Sequence, residues 1–131
     1  MKESTNRFNF APEGWHTVTP RIVVSGAKQL VEFLKQVFAA TGEYQAERPS
    51  VIAIGDSILM VSDAGVRSPM AAFCYVYVSD ADATHQRAID AGARTLETPF
   101  DTPYGDRRCM VEDEWGNTWQ IATSISDRDS A

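Results

Sequence analysis

Few residues in this 131-residue chain have the type and spacing that catalysis requires. The two histidines, His16 and His85, stand before a strand-like segment and on a helical one. Their spacing fits no zinc motif, so solvated or capping roles are expected of both. Cys74 and Cys109 each lie inside an apolar, strand-like run. That spacing makes neither a disulfide framework nor a zinc site, and both are expected to be reduced core thiols. No GxSxG, P-loop, GxGxxG or CxxC occurs, so a nucleophilic triad has no support. What remains are groups suited to binding. Arg21 could clamp a carboxylate or phosphate with its planar fork, or it could pair internally, with Glu112 as the candidate, or lie exposed at a rim. Tyr104, Asp106, Arg107 and Arg108 crowd one loop that could close over a ligand, although Gly105 could equally make a structural turn there. Gln120 stands alone in the middle of the alternating run NTWQIAT.

These groups need elements to hold them. Hydrophobic residues make up 44% of the chain and charged ones 23%, which suits one globular domain with a real core. The net charge of −6 and scattered Lys and Arg disfavour nucleic acid, which needs a basic face. MKESTNRFNF lacks a signal-peptide core and no stretch approaches a membrane span, so a cytoplasmic location and no membrane partner are expected.

Residues 1–14 read as a mobile polar arm and 126–131 as a tail, leaving one domain over 15–125. In HTVTPRIVV, Val18, Ile22 and Val24 share one strand face, and Thr17, Thr19, Arg21 and Val23 the other. Pro20 lacks a donor, so that strand must lie at an edge or carry an irregularity. Ser25 is the expected N-cap of a helix over 27–40 with Leu30, Phe33, Leu34, Val37 and Phe38 on one face, and Gly42 is expected to close it. Strands are expected around GEYQAE, PSVIAI and SILMVS, which ends a first module at about 62. A linker follows at about 63–70, carrying Gly65 and Pro69. The second module, 71–125, repeats the order: strand FCYVYV, a helix over 81–91 capped by Asp80, then strands in ARTLE, RRCMVE and NTWQIAT. Val24-Ser25-Gly26-Ala27 aligns with Val78-Ser79-Asp80-Ala81, and Gly55 with Gly116. The predicted class is α+β, built from two tandem βαβββ modules.

The segments HTVTP, VVSGAKQLVEFLKQVF, IAIGDSILMVSD and VYVSDADATHQRAIDAGA carry a family likeness, as does the YGDR…V.D..GN.W pattern in TPYGDRRCMVEDEWGNTWQIAT. Over about 15–125 the chain resembles the vicinal oxygen chelate superfamily, the glyoxalase, bleomycin-resistance and extradiol-dioxygenase group. It is most similar to the small PhnB-type members. The resemblance implies one curved, cup-shaped mixed sheet with helices outside, a homodimer, and a small-molecule ligand or a divalent metal inside the cup.

In the metalloenzymes of that group four cup-facing posts carry His, Glu or Gln. Here those posts fall on Thr19, Met60 (or Leu59), Phe73 and Gln120. Thioether and phenyl groups do not hold a hard cation, and one amide cannot do so alone. No metal and no other cofactor is therefore expected. The cup wall is expected to be Thr19, Arg21, Met60, Phe73, Tyr75, Tyr77, Thr118 and Gln120, with Tyr104, Arg107 and Arg108 as a loop at its mouth. The expected function is metal-free small-molecule binding, with any reaction left open. The alternative is a metal-dependent lyase, isomerase or dioxygenase of the same group.

Overall fold

The computed structural model describes residues 10–125, so residues 1–9 of the expected arm over 1–14 and the expected tail over 126–131 lie outside the described residues. The elements run β1 (Arg21–Val24), α1 (Ala27–Phe38), β2 (Ser50–Ile54), β3 (Ser57–Asp63), β4 (Phe73–Tyr77), α2 (Ala81–Asp90), β5 (Arg94–Asp101), β6 (Asp106–Glu112) and β7 (Thr118–Ser124). This is the α+β architecture of two repeated modules. Hydrogen bonding groups the strands as β1-β3-β2 and β4-β7-β6-β5. In each sheet the first strand runs parallel to the last strand of its own module, and that last strand pairs antiparallel with the one before it.

Strand alternation sorts the side chains. Ile22, Val24, Ile52, Leu59 and Val61 bury against α1, whose Leu30, Val31, Leu34 and Val37 are almost fully enclosed. Cys109, Val111, Trp119 and Ile121 bury on the corresponding face of the second sheet, which α2 covers with Ala81, Thr84 and Ala88. One core therefore runs through both modules. The opposite faces are left open, with Arg21 beside Met60 in the first sheet and Tyr75 beside Gln120 in the second.

Several local expectations are corrected. GEYQAE forms no strand; a single bridge joins Thr41 to Ala53, with N···O distances of 2.9 Å each way. Gly42 turns away at φ +119° where a side chain would strike the Val51 carbonyl, and the Tyr44 hydroxyl is drawn instead to Asp63. β1 starts at Arg21 and not at Thr17, because Pro20 has no N–H to extend the ladder.

Helix α1 ends at Phe38, two residues early, because Ala39 turns left-handed at φ 56°. Gly42 is thus not its closing residue. Ser25 does not cap α1 either. The cap position is Gly26 at φ 98°, with no side-chain bond of its own. The free amide of Ala27 is satisfied from across the sheet by Asp63 Oδ1 at 2.9 Å, while Asp63 Oδ2 accepts from Tyr44 at 2.5 Å. The last residue of β3 thus starts the helix that follows β1. Helix α2 follows the expected scheme, with the Asp80 side chain accepting from Ala83 N at 3.1 Å.

The Tyr44 hydroxyl and the Ala27 amide hold the Asp63 carboxyl below its ordinary value of 3.8. A group depressed in the fold contributes stability above its unfolded value and loses it as pH falls through the folded one. Asp63→Ala should therefore cost about 1 kcal/mol near neutrality, and the gap from the parent should close as pH drops below about 3.8. Urea melts across that pH range would show it; a gap that stayed constant would remove the carboxylate from the account.

Candidate functional site

The open face of the second sheet is built by β4, β7 and β6 in register, with β5 joined to β6 through two register shifts. Phe73 lies opposite Thr118, Tyr75 opposite Gln120, Met110 opposite Gln120 and Arg108 opposite Ala122, so all of these share one face. Aromatic rings dominate it, with Phe73 68% exposed and Tyr77 55%. The rings of Tyr75 and Tyr77 stand 5.4 Å apart at 55°, close enough to support each other.

Their hydroxyls converge on one buried carboxylate. Tyr75 donates to Asp106 Oδ2 at 2.6 Å and Tyr77 to the same oxygen at 2.8 Å. Asp106 is fully buried. Its backbone is clasped by Thr102, whose Oγ1 accepts from Asp106 N at 3.0 Å and whose N–H donates to the Asp106 carbonyl at 2.7 Å. The turn between, 103–105, is thus pinned at both ends. Gly105 takes φ 97° within it, a conformation that favours glycine. Burial, and then the hydrogen bond to Asp106, drive the Tyr75 phenol well above its ordinary value, so it remains a neutral hydroxyl through the physiological range.

Arg108 extends the network. Its Nη1 donates to the Tyr104 hydroxyl at 2.6 Å and its Nη2 to Glu97 Oε1 at 3.1 Å, and its guanidinium carbon lies 5.2 Å from the centre of the Phe100 ring. The Tyr104 and Tyr75 hydroxyls are 3.4 Å apart. The arrangement is a hydroxyl-and-guanidinium edge beside exposed aromatic faces, able to hold a flat ligand with one polar margin.

The expected wall is only partly gathered. Phe73, Tyr75, Tyr77, Thr118 and Gln120 share this face, joined by Tyr104 and Arg108. Thr19 lies before β1 and outside any strand, whereas Arg21 and Met60 share the open face of the other sheet. Arg21 does not pair with Glu112. Its Nε donates to Ser62 Oγ at 2.9 Å, and Glu112 is taken by Arg94 at 2.6 Å. Arg107 points to the other side of β6, where Asp82 and Asp101 hold it at 2.9 and 3.1 Å. It belongs to the helix-facing surface and not to the mouth of the cup. His85 is tied to Thr95 Oγ1 at 2.8 Å, joining α2 to β5.

The central role of Asp106 was missed from sequence, although strand parity from Met110 through Arg108 would have placed it on this face. No cluster of three or more His, Cys, Asp or Glu able to hold a metal exists among the described residues. The four posts offer a hydroxyl, a thioether, a phenyl ring and an amide, a donor set that does not fit a Lewis-acidic divalent ion.

The family model described as "Glyoxalase/Bleomycin resistance protein/Dioxygenase superfamily" matches residues 11–121. The uncharacterized protein Mb0911c of Mycobacterium bovis is 34% identical over 53 residues, 40% of this chain and 35% of its own length. The match thus spans about a third of that relative. Among solved structures, TioX from Micromonospora sp. ML1 superposes with a TM-score of 0.69 at 22% identity, covering 85% of this chain and 98% of TioX. The fosfomycin resistance protein FosX from Mesorhizobium loti gives 0.65 at 18% identity, covering 88% and 98%. At these identities the structures establish the fold alone.

A phenol raised by the fold contributes stability that is whole below its unfolded value, ordinarily 10.0, and is lost as pH rises beyond it. In a spectrophotometric alkaline titration Tyr75 should be the last tyrosine to ionise, and Tyr75→Phe should remove that last step alone. Ionisation of all four tyrosines together in the native protein would contradict the network.

Proposed function

The chain belongs to the glyoxalase/bleomycin resistance protein/dioxygenase superfamily, and we propose that within it this protein binds a small molecule without a metal ion. The YGDR…V.D..GN.W pattern supports placing it among the small PhnB-type members, as one domain over about 15–125. The observation that carries the binding reading is the pair Tyr75 and Tyr77. Two aromatic rings are held open to solvent while their hydroxyls are fixed on the buried Asp106. Rings kept exposed in a set orientation are preorganised for stacking, worth roughly 0.5–1.5 kcal/mol per ring pair beyond burial. The metal-free reading rests on Thr19, Met60 and Phe73 at three of the four posts.

A homodimer is the working unit in this reading. β1 and β4 end their sheets; a bridge to Met70 covers part of β1, whereas β4 carries the exposed Phe73 and Tyr77, and such an edge favours association. The wall residues Arg21 and Met60 would then meet an aromatic face across the dimer. None of the described helices is long and apolar enough to cross a membrane, in keeping with a cytoplasmic role as a sequestering or resistance-type module. A fosfomycin resistance protein among the structures of similar fold accords with that role.

Amide NMR on the full chain, titrated with a panel of aromatic carboxylates, aromatic amines and neutral aromatics, tests the reading. The expected result is saturable shifts at Phe73, Tyr75, Tyr77 and Gln120 with at least one class, weakened about tenfold by Tyr75→Ala, which corresponds to about 1.4 kcal/mol. Saturable shifts confined to other surfaces would overturn it.

A further inference from the structure

A cavity of about 810 Å³ lies where the edge of β4 and the start of α2 approach the first module, bounded there by the end of α1 and the tip of the β2–β3 hairpin. Of the expected wall residues only Tyr75 and Tyr77 border it. Its volume falls within the range of small-molecule sites, and Phe38, Leu59, Val76 and Trp119 give it an apolar, aromatic lining.

One cation stands in this wall. Arg87, on α2, donates from Nε to the Val37 carbonyl at 3.2 Å and from Nη2 to Thr84 Oγ1 at 2.9 Å. The first contact places positive charge at the C-terminal end of α1, where the helix dipole favours it. That structural duty uses two of the five N–H groups of a guanidinium. No carboxylate pairs with Arg87 among the described residues. The group is thus fixed in orientation with its charge uncompensated, and its remaining N–H groups suit the two oxygens of a planar or tetrahedral anion. The other titratable groups around the cavity are His16, Asp56, Cys74, Tyr75 and Tyr77. Burial pushes the Cys74 thiol up, so it stays neutral, and the Asp56 carboxylate opposes a second negative charge.

We propose that this junction is a second binding site, for a small molecule with an aromatic or apolar body and a single anionic group, and that Arg87 holds that group. Tyr75 and Tyr77 border both this cavity and the open face, but Arg87 has no part in the tyrosine network, so the assignment of the anion to Arg87 does not rest on the function proposed for the open face. The site also spans the two modules, so its occupant would bridge them.

The test uses a matched pair of dyes on the full chain: anilinonaphthalene sulfonate, an aromatic monoanion, and its uncharged parent phenylnaphthylamine. Arg87→Gln should weaken the sulfonate about tenfold and the neutral dye less than twofold, while Arg87→Lys recovers part of the loss. Ser57→Phe, at an exposed position on the cavity rim, should weaken both dyes. Equal losses of the two dyes on Arg87→Gln would make the arginine purely structural and overturn the proposal. Loss of the sulfonate on Arg108→Gln, with Arg87→Gln silent, would move the dye to the open face and overturn it equally.

Discussion

Asp113 is the residue on which the rest of the structure leans. Nearly buried, it gathers four donors: Oδ1 accepts from Trp115 N and Asn117 N at 2.9 Å each, and Oδ2 from Asn117 Nδ2 at 2.9 Å and Trp119 Nε1 at 2.8 Å. A buried carboxylate is costly unless its lone pairs are filled, and here they are filled by the turn that it shapes. The consequence reaches across the molecule. Trp119, so oriented, packs on Phe38 at 5.3 Å, and Trp115 meets Phe33 edge-on at 5.9 Å. Both partners lie on α1, in the other module. Asn117 Oδ1 meanwhile takes the Ala72 amide at 2.8 Å and so sets the start of β4. The segment DEWGNTW therefore joins the two halves and positions the strand that carries Tyr75 and Tyr77.

This explains both what the sequence disclosed and what it withheld. The duplicated order, the faces of α1 and the alternation in NTWQIAT were legible because periodicity and turn glycines are local signals. Apart from the early end of α1 at Ala39 and the late start of β1 after Pro20, the failures share one cause, which is a partner distant in sequence. Ser25 looked like a cap, but Asp63 supplies the bond from 36 residues away. GEYQAE had strand composition, yet its tyrosine is claimed by that same Asp63. Arg107 and Arg108 are adjacent and chemically alike, and only the pleat sends one to Asp82 and the other to Tyr104. The candidate site was half legible in the same sense. Tyr75, Tyr77 and Gln120 follow from parity alone, whereas Asp106 read as a loop residue and Arg87 gains its role only once the modules dock.

The same geometry separates structural from functional duty. The acidic and tryptophan-rich motif that draws the eye in sequence is occupied internally, as are His85 and Arg107. Among the described residues, the groups proposed to meet an incoming molecule are the two tyrosine rings on Asp106 and the guanidinium of Arg87. In both places a polar contact inside the protein sets the direction of a side chain whose outer surface stays accessible. The metal posts of the superfamily have no such support, because Thr19 lies off the strands, and Met60 and Phe73 carry no suitable donor atom.

In the function proposed, tyrosines and arginine organise recognition in place of a metal. Elemental analysis of the full-length protein, purified from medium supplemented in turn with manganese, iron, nickel and zinc, tests it most directly. The account predicts metal far below one ion per chain in every preparation, and a melting temperature that a chelator does not move. One ion per chain that is lost on Gln120→Ala would contradict it.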